Sequence, residues 1–450
     1  MTLPIAFTRE TIALPQSPAS ASLSRGGWQL HRIVASYWSV PLVAVLAALP
    51  AALITIDLDR AGLTAWIIEH DLAPVATADT AKDLTAVAIG VNAAFITLYF
   101  SITLLVLTVA SSTLAVRLVD RWLEKRLVRV SLAGLSFTLV FCLGVMAAID
   151  AEGELAEQPL AAFAGVIFFQ ALNIVMLTVA LHDLGRTIFV DRSIEALGSQ
   201  LADQAVCIVP GEPYRGAWGD TCVAKREGYV QGIALERLAK ALRAHPGRIR
   251  LCAPPGRHVL PGEPLIAFET GGAPTDRLDD AIAIGDYRSD AQGAVFQVRL
   301  LVEIATRAMS PALNDFYTAL AVADRLAAAM PGQAAGWIGP DKVPVWQEDE
   351  RFELPGQDFA GLFENPLSAL RQSAAAYPAV AIRLLENFAR LEECRGGVAA
   401  FLRDHGETLA RQAIATAQDE EDRDALTKAM QALRDAAGTD TTVPMIGPDA

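Results

Sequence analysis

Four long apolar runs restrict what this chain can fold into. They occupy about residues 35–56, 84–110, 132–148 and 160–181, and none of them contains Asp, Glu, Lys or Arg. Roughly 20 apolar residues cross a bilayer core of about 30 Å, so these runs are of spanning length. A buried helical bundle in a soluble protein is the alternative, but charged loops separate the runs. The sequence therefore predicts four transmembrane helices.

The composition predicts a soluble part beside the membrane part. Of the 450 residues, 52% are hydrophobic and 20% are charged, which is typical of a membrane protein with a soluble portion. Residues 1–27 are rich in Ser, Pro, Thr and Ala, and we predict that they form a disordered leader. The first apolar run is too long for a signal peptide and lacks a cleavage pattern, so we expect a retained anchor.

The distribution of basic residues predicts the orientation in the membrane. Five lie between the second and third runs: Arg117, Arg121, Lys125, Arg126 and Arg129. Four more flank the other ends on that side: Arg25, Arg32, Arg186 and Arg192. The opposite side has only Arg60 and Lys82 in its first loop and no basic residue at 150–158. Because cytoplasmic loops carry the excess of Lys and Arg, both termini are predicted to be cytoplasmic.

Charge and cysteine usage exclude several classes of function. The net charge of −14 argues against a nucleic-acid partner, since binding phosphates requires a basic face. The five cysteines show no C-x-x-C spacing, and four of them lie on the predicted reducing side, so we expect no disulfide and no zinc site. No metal ligand or cofactor is predicted.

The soluble part reads as an α+β domain after a multi-pass α-helical membrane domain with four transmembrane helices. Strands are predicted at 228–233, 248–253, 265–269 and 281–285, with a helix over 234–245. The predicted division is a leader (1–27), a transmembrane domain (28–185), a β-rich cytoplasmic subdomain (186–288), a helical cytoplasmic subdomain (289–436) and a disordered tail (437–450).

Capping and breaking residues mark helices in the last part of the chain. Ser289 to Gln292 matches a capping box that opens a helix, along which Arg299, Glu303 and Arg307 form an i, i+4 surface ladder. Helical patterns continue over about 366–393 and 397–436, and Pro378 is expected to break or kink the first of them.

Polar residues inside the apolar runs are candidates for a membrane site. Small and polar residues recur in the second run at steps of three, four or seven: Gly90, Ala94, Thr97, Ser101, Thr108 and Ser112. Such a face permits close helix packing, and it also suits the lining of a pore. Amides in hydrocarbon need partners, so Gln170 and Asn173 are expected to bond to each other or to Asn92. The candidates for pore lining or packing are Asn92, Thr97, Ser101, Thr108, Gln170 and Asn173.

A short joint, Ser310 to Asp315, connects two helical patterns. Pro311 cannot donate to a continuing helix, and Asn314 or Asp315 can cap the next one, with Thr318 in its first turn. Local chemistry thus predicts a capped corner, and a regulatory contact is the second interpretation. The candidate cytoplasmic motif comprises Arg288, Arg307, Ser310, Pro311, Asn314, Asp315 and Thr318.

Signatures of catalysis are missing from the sequence. The six histidines form no H-x-H or H-x-x-x-H pair, and there is neither a G-x-x-x-x-G-K-[ST] loop nor a G-x-S-x-G elbow. We therefore name no catalytic residue. A membrane-bound hydrolase or transferase would need groups that meet only in the fold.

Four segments resemble the bacterial predicted membrane proteins of domain-of-unknown-function family 2254. They are "LYFSITLLVLTVASS", "REGYVQGI", "PPGRHVLPGEPL" and "LVEIATRAMSPALNDFYTA", and the resemblance extends over about residues 28–435. The family usually has proline where Phe316 follows Asn-Asp here, and Gln-Asp where Gln292-Gly293 stands. The resemblance implies a bacterial inner-membrane protein with four spans and a cytoplasmic domain, and it supplies no catalytic residues.

Two functional hypotheses follow from different classes of protein. The first is a homo-oligomeric, channel-like or transport-related protein that its cytoplasmic domain regulates, suggested by the polar stripe of the second run. The alternative is a membrane-anchored sensor or scaffold whose cytoplasmic domain binds a ligand or a protein. The expected partners are the lipid bilayer and further copies of the chain, and the sequence does not identify a ligand.

Overall fold

The computed structural model describes residues 38–113, 126–187, 190–273, 278, 281–391 and 397–438. The predicted leader, residues 439–450 of the predicted tail, and Cys394 lie outside these ranges. So do five of the basic residues that predict the orientation: Arg25, Arg32, Arg117, Arg121 and Lys125.

Four helical stretches are long and apolar enough to cross a membrane, which confirms the predicted membrane domain. The first consists of α1 (Ser39–Leu58), a π-helical turn (Asp59–Leu63) and α2 (Thr64–Glu69). The others are α3 (Ala78–Thr113), α4 (Arg126–Met146) and α5 (Leu160–Thr187). The first stretch continues past Ile56, where the apolar run ends, because the π turn with Gly62 at φ 119° joins α1 to α2.

Helix α4 lies at the centre of the bundle and contacts α1, α3 and α5. Its approach to α1 is close, since a Cβ on Gly144 would lie 2.9 Å from the Cβ of Ala52. Rings of Phe137, Phe141 and Phe169 pack between α4 and α5, with centroids 5.2 to 5.8 Å apart. Small residues and aromatic rings therefore hold the four stretches together.

The carboxy-terminal domain begins with α6 (Val190–Ala202) and contains two sheets. Its other helices are α7 (Leu235–Ala241), α8 (Ala294–Ala308), α9 (Phe316–Gln333), α10 (Phe359–Ala374), α11 (Pro378–Arg390), α12 (Gly397–Thr416) and α13 (Glu420–Gly438). Its strands are β1 (Ile208–Gly211), β2 (Asp220–Val223), β3 (Gly228–Ile233), β4 (Ile249–Leu251), β5 (His258–Val259), β6 (Pro264–Phe268), β7 (Ile282–Gly285), β8 (Val343–Trp346) and β9 (Asp349–Glu353). The predicted fold class is therefore confirmed: four membrane helices are followed by a domain that contains both helices and sheets.

The two sheets do not follow the predicted boundary at residue 288. The six-stranded sheet has the order β1-β8-β9-β4-β6-β2, and the three-stranded sheet has the order β5-β3-β7. Strands β8 and β9 come from the segment predicted to be helical, and β9 pairs in parallel with β4. Conversely, Ile194, Leu197 and Leu201 of α6 belong to the core of the helical part. All four residues of β8 are buried, and β8 pairs both with β9, which follows it directly, and with β1, which lies far earlier in the chain.

Several local predictions in the second half of the chain are confirmed, and others are wrong. Strand β3 has the predicted bounds, and Pro378 breaks the helical pattern by standing first in α11. The capping box at Ser289 is wrong. The Ser289 hydroxyl donates to Oε1 of Gln231 at 2.5 Å, and α8 begins only after Gly293, whose φ is 61°. A short 3-10 turn, Asp290–Gln292, lies between them.

Candidate functional site

Three amide side chains meet inside the membrane bundle. Nδ2 of Asn92 on α3 donates to Oε1 of Gln170 on α5 at 2.5 Å and to its own helix at the Ala88 carbonyl. Nδ2 of Asn173, also on α5, donates to Oδ1 of Asn92 at 3.1 Å. Asn92 and Asn173 are buried, so the amides supply the partners that hydrocarbon cannot. We call Asn92, Gln170 and Asn173 the amide cluster.

A glycine of α4 makes room for the amide cluster. Nδ2 of Asn173 lies 3.5 Å from the Gly134 carbonyl oxygen. A Cβ at Gly134 would lie 3.1 Å from Oδ1 of Asn173, which is tighter than ordinary van der Waals contact. The cluster therefore joins three of the four membrane stretches through hydrogen bonds and one close backbone approach.

Two apolar cores lie before and after the amide cluster along α5. Toward the start of the helix, Phe163 and Val166 belong to one buried core. Toward its end, Leu177 packs with Leu132 and Leu135 of α4 in another. Within one protomer, the cluster is thus a packed polar contact between helices.

Helix α3 has two polar faces on opposite sides. The buried face carries Thr85, Asn92, Tyr99 and Thr103, and the Tyr99 hydroxyl donates to the Val128 carbonyl at 3.0 Å. The stripe predicted from the sequence is exposed at five positions with described side chains: Gly90, Ala94, Thr97, Ser101 and Thr108. At about 100° per residue, this stripe lies nearly diametrically opposite Asn92. The structure therefore brings together Asn92, Gln170 and Asn173 and places Thr97, Ser101 and Thr108 elsewhere.

The exposed hydroxyls of α3 use their protons within the helix. Thr97 donates to the Ala93 carbonyl at 2.9 Å, Ser101 to Thr97 at 2.9 Å and Thr108 to Leu104 at 2.8 Å. The oxygens of Thr97 and Ser101 consequently keep acceptor capacity toward the outside of the helix. A face of this kind can accept hydrogen bonds from water or contact a cation.

Asp59 is a buried carboxylate at the other end of the bundle, and the sequence patterns did not identify it. Asp59 is 5% exposed, and its two oxygens accept from the backbone N–H groups of Ala161 and Ala162, each at 2.9 Å. The Thr64 hydroxyl donates to the same carboxylate at 2.8 Å. Asp59 thus caps α5 from another element, where a negative charge suits the helix dipole. The available signal was an acidic residue just beyond an uncharged apolar run.

The joint at residues 310–315 is a tightly bonded corner. The Asn314 N–H donates to the Ser310 carbonyl, and the Asp315 N–H donates to the Ala308 carbonyl, each at 2.9 Å. Asn314 has φ 47°, a conformation that Asn tolerates better than most residues. Asp315 is the cap of α9, since its carboxylate accepts from the Thr318 N–H at 3.1 Å and from the Thr318 hydroxyl at 2.6 Å. Pro311 and the flanking Phe316 and Tyr317 are exposed.

The two arginines of the predicted motif lie at opposite ends of α8. Arg307 belongs to its last turn, beside the joint, and the Arg307 carbonyl accepts from the Ser310 N–H at 3.0 Å. Arg288 precedes the helix, and its guanidinium lies over the Tyr229 ring, 5.0 Å from the centroid. A helix of this length extends about 22 Å, so Arg288 and the joint do not share one pocket. Among the residues that the structure describes, no group of three or more His, Cys, Asp or Glu side chains is arranged to hold a metal ion.

Comparison with known proteins places the chain in a family. Residues 34–390 match the family described as "Predicted membrane protein (DUF2254)". Uncharacterized proteins of Mycobacterium bovis and Mycobacterium tuberculosis are each 29% identical over 333 residues, which is 68% of this chain. The match spans 63% of the length of these relatives. No solved structure matches the chain. The chain therefore belongs to the predicted membrane proteins of domain-of-unknown-function family 2254.

Proposed function

We propose that the chain is a subunit of a homo-oligomeric, channel-like or transport-related protein of the bacterial inner membrane. In this proposal the exposed polar face of α3 lines a path between protomers. The carboxy-terminal domain lies in the cytoplasm with both termini and regulates that path.

The observation that carries the proposal is the direction of the hydroxyls on α3. Thr97 and Ser101 are exposed on the face opposite the amide cluster, and their hydroxyls bond only to carbonyls of α3 itself. A Cβ added at Gly90, on the same face, would meet nothing within 4 Å. Small and hydroxylated residues favour helix association in lipid, which supports further copies of the chain as the neighbours of this face.

The chemistry of this face favours water and cations over anions. The hydroxyl protons of Thr97 and Ser101 already bond to carbonyls of the same helix, so oxygen lone pairs are left toward a path. Oxygen acceptors replace part of the hydration shell of a cation, as carbonyl oxygens do in selectivity filters. In the amide cluster Asn92 and Asn173 are buried and bonded to each other, which supports a structural role.

Flux measured in liposomes tests the proposal. Purified full-length protein should pass a small monovalent cation, and Thr97→Leu with Ser101→Leu should abolish the flux while the oligomer persists. Val175→Leu is a matched control, because Val175 is an exposed apolar residue of α5 and should leave flux unchanged. Absence of flux from an intact wild-type oligomer at every pH and voltage would overturn the proposal.

The alternative, a membrane-anchored sensor or scaffold, is favoured by the aromatic residues at the joint. Tyr317 is 72% exposed and its ring lies 4.2 Å from that of Phe316, centroid to centroid. Exposed aromatic residues are frequent anchors of protein interfaces. If this function holds, Tyr317→Ser should abolish capture of a protein partner, whereas Thr97→Leu should not. Unchanged capture by Tyr317→Ser would count against the scaffold.

A further inference from the structure

Buried polar atoms without a hydrogen-bond partner concentrate just before and within the first turn of α8. Gln292 is 4% exposed, and within the described part of the chain neither Nε2 nor Oε1 has a partner. The same holds for Oε1 of Gln297, which is 6% exposed, and for the buried Nε of Arg288. Buried amides are nearly always paired in folded proteins, so such a concentration indicates missing partners.

Two other buried glutamines of the domain, Gln231 and Gln333, do have hydrogen-bond partners, which makes this set distinct. Gln231 accepts from the Ser289 hydroxyl at 2.5 Å, and its Nε2 donates to the carbonyls of Tyr287 and Tyr229. Nε2 of Gln333 donates to the carbonyls of Leu201 and Gln204, at 2.8 and 3.0 Å. The segment that precedes Gln292 is therefore held in place at Ser289, while both polar atoms of Gln292 and Oε1 of Gln297 have no partner within the described residues.

The segment also contacts the helix that follows the fourth membrane stretch. Nε2 of Gln297 donates to Oε1 of Gln200 on α6 at 3.4 Å. A Cβ at Gly293 would lie 2.6 Å from Nε2 of Gln204, just beyond α6. A molecule bound at Gln292 would thus lie where α6 meets α8.

We propose that Arg288, Gln292 and Gln297 form a binding site for a small nucleotide-like anion. The guanidinium of Arg288 supplies donors for an anionic oxygen, a pairing that Arg geometry favours. The carboxamide of Gln292 supplies a donor beside an acceptor, which matches a planar edge such as that of adenine. Oε1 of Gln297 accepts one further N–H or O–H of the molecule.

Access to the site runs through the turn that precedes Gln292. Tyr287 is 74% exposed, and residues 288–291 are half-buried. Binding itself does not depend on conduction by α3. Regulation of the path along α3 by this site does rest on the proposed function. It would act through α6, the helix that follows the fourth membrane stretch and contacts the site.

Thermal unfolding of the full-length protein in detergent tests the site with AMP and inorganic phosphate as probes. At ten times its Kd, AMP should raise the Tm of the wild type by about 1–3 °C, and phosphate should raise it less. Arg288→Gln should lose both shifts. Arg434→Gln is the control, since Arg434 pairs with Glu407 on distant helices and should keep them.

Gln292→Leu separates the proposed site from an internal hydrogen bond. With no internal partner to lose, this variant should be at least as stable as the wild type without AMP, and its AMP shift should fall to the phosphate value. A lower Tm of the unliganded variant would show that the amide is paired, and would overturn the proposal. Equal shifts from AMP and phosphate in the wild type, or no shift from either, would also overturn it. These measurements of Tm do not involve flux. A failed binding test therefore does not contradict the proposed channel, and an absence of flux does not contradict the binding site.

Discussion

Asn92 and Gln170 lie on different membrane helices, and the Nδ2 of the first donates to the Oε1 of the second at 2.5 Å. Asn92 is fully buried, and it also accepts from Asn173. The polar side chains that sequence reasoning grouped as one candidate set are thus divided, with this cluster inside the bundle and hydroxyls outside it.

Replacing Asn92 with Leu should destabilise the membrane bundle. The change keeps a similar volume but removes the donor to Oε1 of Gln170 and the acceptor at 3.1 Å from Nδ2 of Asn173, at a cost of about 1–3 kcal/mol. Reversible unfolding in detergent measures the loss. Thr97→Val is the control, because its hydroxyl bonds only within α3, and its effect should stay within about 0.5 kcal/mol. Equal effects of the two changes would contradict a structural role of the cluster.

Replacing Asp59 with Ala should also destabilise the protein. The carboxylate caps the first turn of α5 through Ala161 and Ala162, and loss of a cap costs about 0.5–2 kcal/mol. Asp57→Ala is a matched control, since Asp57 has a side chain that is 76% exposed and pairs only at 3.7 Å with Arg60. We expect a lower Tm for the first variant alone. A similar fall for both would mean that the charge of this region matters and the cap does not.

At the joint, Asp315→Ala should lower stability and Asp315→Ser should largely preserve it. Ser retains an oxygen that can accept from the Thr318 N–H, whereas Ala exposes the start of α9 at a cost of about 1 kcal/mol. Thermal unfolding of the two variants checks the difference. If Ala and Ser behave alike, the carboxylate serves a purpose other than capping.

The buried His405 should make stability depend on pH. Burial lowers its pKa below the usual value of 6.5, Glu364 opposes that shift, Arg371 adds to it, and Asp404 acts in the same sense as Glu364. Below about pH 6.5 the unfolded chain binds a proton that the folded chain does not, so stability is complete above that pH and falls as the pH decreases. The difference in Tm between pH 7.5 and pH 5.5 should shrink in His405→Gln.

Two charged side chains lie close to the His405 ring. Nε2 of His405 lies 3.4 Å from Oε2 of Glu364, and Nδ1 lies 3.4 Å from a terminal nitrogen of Arg371. Glu364→Gln removes the charge that favours protonation, so it should steepen the loss of stability toward acid pH. An unchanged slope in both variants would assign the dependence to other groups.

The membrane stretches could be predicted because a long apolar run without charges has few stable environments other than a lipid bilayer. The partnership of Asn92 with Gln170 and Asn173 was expected for the same reason, since hydrocarbon offers amides no hydrogen bonds. Helical geometry alone already separates Asn92 from Thr97, which lie about 140° apart on α3. Because of this angle, Asn92 contacts α5 inside the bundle whereas Thr97 is exposed.

Contacts between distant segments account for most of what sequence reasoning missed. The cap at Asp59 depends on where α5 begins, about a hundred residues later. The Ser289 hydroxyl was predicted to bond within its own helix, but it donates to Gln231 of β3, which lies far earlier in the chain. The short strands β8 and β9 carry little periodic signal, because pairing across the chain, rather than local preference, makes them strands.

The order of the six-stranded sheet governs how this domain can fold during synthesis. Strand β1 pairs with β8 through Ile208 and Trp346, and β9 lies between β8 and β4. Until the ribosome has passed residue 353, β1 and β4 therefore present open edges, which are templates for aggregation. Pairing over such a separation is also slow. A cytoplasmic fragment that ends before β8 would keep these edges open, and it is therefore expected to aggregate more than the complete domain does.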